Sequence, residues 1–65
     1  MDINKFWEEQ LVSAREVLAG IDRQIEGASS EDLPQSVKEA FLLRLEYEKS
    51  EWNLLVLSLE DKLKN

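Results

Sequence analysis

The chain offers carboxylates, amines and hydroxyls, but lacks the two side chains that most often do protein chemistry. Its 65 residues include no histidine and no cysteine. Without histidine there is no imidazole to act as general base or metal ligand, and no Ser–His or Cys–His nucleophile pair. Without cysteine there is no disulfide and no thiolate metal site. The remaining reactive groups are mostly acids. Glu48 and Glu51 stand three apart and could share a cation, but neither has a supporting ligand close in sequence. The Glu-x-x-His pairs of di-metal bundles cannot be completed here. A solvated helix face accounts for this pair. Paired carboxylates for glycoside chemistry need a deep cleft, which a chain of this length cannot build alone. No Gly-rich phosphate loop, EF-hand loop or zinc-ligand spacing is present. Ser29 and Ser30 sit in an acidic loop where they could be modified, although capping a helix is the simpler role. The sequence therefore predicts no enzyme, no cofactor and no metal centre.

Charge narrows the choice of partners. Fourteen acidic against eight basic residues leave a net charge of −6, which opposes nucleic acid and anionic membranes. Lys5, Arg15 and Arg23 occur singly among acids and make no basic footprint. The start, Met1-Asp2-Ile3-Asn4-Lys5, lacks the basic and apolar regions of a secretory signal. The longest aliphatic run, Leu54-Leu55-Val56-Leu57, falls far short of the ~20 residues of a spanning helix. No glycine follows Met1 for myristoylation, and no cysteine is present for acylation. These features predict a soluble, cytoplasmic protein.

The elements that must position these residues are helices. Two glycines and one proline are too few for a many-turned β architecture. One segment breaks the pattern, Gly27-Ala28-Ser29-Ser30-Glu31-Asp32-Leu33-Pro34. Gly27 suits the left-handed position after a helix end, and Pro34 suits the first turn of the next helix. Ser30 and Asp32 are possible caps, and Ser36 with Glu39 matches a capping box. Before the break, Trp7, Leu11, Ala14, Leu18, Ile21 and Ile25 recur at spacings of four and three, as on one helix face. Ile3, Phe6 and Val17 widen this stripe on one side, and Gly20 is assigned to the polar face. Asp2 or Asn4 can cap the start. After the break, Phe41, Leu42, Leu45, Trp52, Leu55, Val56, Leu59 and Leu63 form a matching stripe. The resulting expectation is a single unit over 1–65: a helix at about 3–26, a loop at about 27–33, and a helix at about 34–63 that is roughly two turns longer. The short connection folds them into an antiparallel all-α hairpin.

A second apolar stripe on the later helix carries the functional reading. Ala40, Leu43, Tyr47, Leu54 and Leu57 fall opposite the first stripe, where the earlier helix cannot reach. A helix apolar on two faces belongs inside a larger assembly. The bland alternative is a set of ordinary exposed leucines. The simplest cover is a second copy of the chain, giving a homodimeric four-helix bundle or a higher helical oligomer. A different protein would be the other cover. Phe6, Trp7 and Trp52 lie on core-facing stripes and are expected to pack within the hairpin, whereas Tyr47 suits an interface rim. The leading expectation is a small, non-enzymatic, homo-oligomeric adaptor, inhibitor or regulatory accessory protein. Two alternatives stand beside it: an acidic decoy using Glu8, Glu9, Glu16 and Glu26 in place of phosphates, and an oligomer holding a small ligand at subunit junctions.

Overall fold

The computed structural model describes residues 2–64 and contains two helices, α1 (Ile3–Ser30) and α2 (Gln35–Lys64). Cross-helix partners run in opposite directions along the sequence. Arg15 meets Glu60, Asp22 meets Lys49, and Ser29 meets Lys38. The helices are therefore antiparallel. The Cα trace measures 50 × 14 × 14 Å, as expected for two helices of about 30 residues lying side by side at ~1.5 Å per residue.

The ends of the helices differ in part from the sequence expectation. Asp2 caps α1 as expected, its carboxylate accepting from the backbone N–H of Asn4 at 3.0 Å and of Lys5 at 3.4 Å. Gly27 does not end the helix. Among the described residues no glycine has a positive φ, and α1 continues for another turn to Ser30. The inner spacing explains the extension, because Ala28 follows Ile25 by three and is half-buried on the same line. The carbonyl of Gly27 accepts from the N–H of Glu31 at 3.0 Å and from Ser30 Oγ at 3.1 Å. Ser30 thus closes α1 instead of capping α2.

The connection is short because proline limits it. Pro34 disfavours helical geometry at Leu33, and the N–H of Leu33 reaches back to the Glu31 carbonyl at 3.0 Å. Pro34 stands just before α2 and not inside its first turn, and its carbonyl accepts from the N–H of Lys38 at 3.0 Å. The expected capping box is replaced. Ser36 is already helical, and the Glu39 carboxylate accepts from Gln35 Nε2 at 3.1 Å. Lys38 Nζ donates to the Ser29 carbonyl at 3.3 Å, satisfying one of the groups that a helix end leaves open. With α1 at 28 residues and α2 at 30, the expected two-turn difference disappears.

The core lies along one seam. Leu11, Ala14, Val56 and Leu59 are buried together, flanked by Trp7, Leu18, Trp52 and Leu63. Ile21 and Leu45 are buried nearer the loop. Phe41 and Leu55, expected on this seam, are instead 45% and 43% exposed. Each precedes an inner residue by one position and so points about 100° away, onto the shoulder. Ile3 and Val17 are likewise exposed, at the side of the α1 stripe.

One member of the α2 seam is polar. Leu42, Leu45, Lys49, Trp52, Val56, Leu59 and Leu63 keep the three-four spacing without a gap, and Lys49 is half-buried. Its Nζ lies 2.7 Å from Asp22 Oδ1. An ion pair this accessible to water contributes at most about 1 kcal/mol. Burying a leucine there would be worth ~1.5–3 kcal/mol. Lys49→Leu is therefore expected to raise the thermal unfolding midpoint at fixed protein concentration. A fall, read by circular dichroism, would mean that the ion pair matters more than the seam it interrupts.

Candidate interaction surfaces

The chemistry-bearing groups are dispersed along the hairpin. Glu48 pairs with Arg44 at 3.4 Å, one helical turn away. Among the described residues no three acidic side chains come together as metal ligands. Of the aromatics expected to pack within the hairpin, Trp7 and Trp52 lie against the core, while Phe6 packs on Trp7 at the open end. Phe6 and Trp7 meet edge to face with ring centres 5.0 Å apart, and Lys62 Nζ lies 4.9 Å above the Trp7 ring. Trp52 is half-buried against the core.

Apolar surface is what the hairpin leaves open. The outer stripe of α2 lies where the sequence placed it. Leu43 is 72% exposed, Tyr47 67%, Leu54 58% and Leu57 62%, and Ala40 is exposed as well. All point away from α1, so among the described residues nothing covers them.

The two broad sides of the hairpin differ in character. On α1 the residues one position after the inner stripe include Glu8, Arg15, Asp22 and Glu26. This side carries the cross-helix ion pairs, Arg15 with Glu60 at 3.5 Å and Asp22 with Lys49 at 2.7 Å. Residues one position before the inner stripe occupy the other side. Those on α1 are Phe6, Gln10, Ser13, Val17, Gly20, Gln24 and Gly27, and none is charged.

Two hollows lie on this side, where α2 contributes Arg44, Glu48, Glu51 and Lys62 beside Phe41 and Leu55. One, of ≈ 260 Å³, has Phe6, Gln10, Ser13, Val17 and Leu55 on its walls and Ala14, Trp52 and Leu59 at its base. The other, of ≈ 350 Å³, opens toward the loop between Gln24, Leu33, Phe41 and Arg44. Sequence reading missed this surface because its periodicity is carried by Gln, Ser and Gly, which a search for apolar residues passes over. The readable signal was the absence of charge at every third and fourth position from Ile3 to Gly27. Gly20, assigned to the polar face, is half-buried on this side.

No protein-family model, no curated protein and no solved structure matches the chain. Among the described residues no helix is long and apolar enough to cross a membrane. The surfaces themselves are thus the basis for a functional reading. Because the carboxylates are dispersed, calorimetric titration with zinc, manganese or calcium is expected to give no sub-micromolar isotherm.

Proposed function

We propose that this chain is a small, non-enzymatic, homo-oligomeric helical adaptor or regulatory accessory protein that works through protein–protein contacts. The observation that supports this reading is the balance of apolar burial. Among the described residues six hydrophobic side chains are buried, while ten large ones are exposed, including Phe41, Leu43, Leu54 and Leu57. A domain of about this length buries only ~60% of its unfolded surface and has little stability in reserve. Association would remove further apolar area from water, at about 25 cal/mol per Å².

The outer stripe of α2, Ala40, Leu43, Tyr47, Leu54 and Leu57, is the surface offered to a partner. Its residues recur at the spacing of a single helix face, which suits a partner helix or an apolar groove. Tyr47 brings an apolar ring with a polar tip, as interface rims do.

Two measurements test the reading. Self-association that completes the fold makes stability depend on concentration, so the unfolding midpoint is expected to rise as the protein is taken from about 1 to 100 μM. A midpoint independent of concentration, with a monomeric mass by light scattering, would overturn the oligomeric part. Leu54→Glu places a charge on a residue already in contact with water, so the variant is expected to remain folded. Pull-downs from the native host should yield a protein retained by the parent and lost from this variant. Identical retention by both would remove the stripe from consideration.

A further inference from the structure

We propose that the side of the hairpin on which the α1 stripe carries no charge is where a second copy of the chain docks, with α1 lying antiparallel on its symmetry mate around a two-fold axis near residue 15. This rests on the reading of the protein as a self-associating helical chain and specifies the face used.

The glycines give the first reason. Gly20 and Gly27 lie inside α1, where each weakens the helix relative to alanine. Their own hairpin does not require them. Neither has a positive φ; a Cβ at Gly20 would meet only Arg23 Nη2 at 3.8 Å, and one at Gly27 would meet nothing within 4 Å. Both lie on this side of α1, where a closely approaching helix would displace the Arg23 guanidinium from Gly20 and make use of the missing side chains.

The second reason is self-complementarity. The stripe Ile3, Phe6, Gln10, Ser13, Val17, Gly20, Gln24 and Gly27 keeps the alternating three-four spacing of a helix seam. Antiparallel pairing about residue 15 sets Ile3 against Gly27, Gln10 against Gly20, and Val17 against Ser13 of the other copy. Each larger side chain faces a smaller one. Phe6 faces Gln24, the one pairing of two long side chains.

The same axis then makes a prediction about α2 that was not used to place it. Trp7 beside Lys62 and Asp22 beside Lys49 set residue n of α1 level with about residue 70 − n of α2. Leu55 therefore lies at the axis and meets its own copy. Glu48 and Lys62, seven positions on either side of Leu55 and both on this side of α2, face each other across the dimer with opposite charge. The overlap of Ile3 to Gly27 runs about 37 Å, and two helices are ~20 Å wide, so each copy contributes on the order of 700 Å². That approaches the ~800 Å² per partner of a stable interface. The outer stripe of α2 stays uncovered in this arrangement and remains open to another protein.

Light scattering and sedimentation on the full chain provide the test. The parent is expected to be dimeric at tens of micromolar. Gly20→Leu installs a better helix former where an added Cβ meets only the flexible Arg23 side chain, so helicity by circular dichroism should hold or rise, while the dimer weakens about tenfold or more. Ala19→Leu, on the opposite side, should leave the dimer unchanged. Glu48→Lys and Lys62→Glu should each weaken it by about fivefold, and the double variant should recover the parental value. Within one chain these residues lie about 21 Å apart along α2, so recovery can arise only between copies. A dimeric parent whose Gly20→Leu variant keeps its affinity, or whose charge reversal fails to recover, would overturn this face while leaving self-association standing. A monomeric parent would overturn both.

Discussion

Two packed helices meet along a single line, and each can bury only the narrow stripe that faces that line. In this chain the line is occupied by Trp7, Leu11, Ala14, Leu18, Ile21 and Ile25 on α1, and by Leu45, Trp52, Val56 and Leu59 with their neighbours on α2. The seam sets everything else by rotation. One residue forward from it reaches the side of the cross-helix ion pairs, one residue back reaches the side where α1 is uncharged, and the far side of α2 carries Leu43, Tyr47, Leu54 and Leu57. The two described helices leave these surfaces in water.

How much of this was legible depended on how each feature is encoded. The α1 stripe could be read directly, because six apolar residues at regular spacing have few alternative explanations. The outer stripe of α2 was equally visible, since it stands opposite a seam already located. The end of α1 was misread because glycine suggests termination only when the chain needs a left-handed residue. Packing of Ala28 keeps the helix intact through Gly27 instead. Phe41 and Leu55 were misplaced for a related reason. A stripe of eight apolar residues is wider than the seam, and sequence alone does not say which members fall on its shoulder. The uncharged side was hidden because hydrophobicity is a poor guide to a surface built from Ser, Gly and Gln.

The polarity of the two broad sides also bears on specificity. Arg15, Asp22, Lys49 and Glu60 draw one another across the seam on one side, so the charges there are largely committed within the chain. Pairs this exposed add little stability. Their value lies in register: sliding α2 by one turn would separate Asp22 from Lys49 and Arg15 from Glu60.

Pro34 has a consequence for topology. If the four residues after Ser30 were helix-forming, α1 and α2 could join into one rod of more than sixty residues, since both ends are already helical and the connection is short. Two such rods, laid side by side, would satisfy the same seam by exchanging halves between chains, the usual route to a domain-swapped dimer. Proline cannot donate the hydrogen bond that a continuous helix would require of it, and its ring would strike the carbonyl of Ser30, a combined penalty of ~3 kcal/mol in each chain. A single ring in the connection therefore keeps the seam intramolecular.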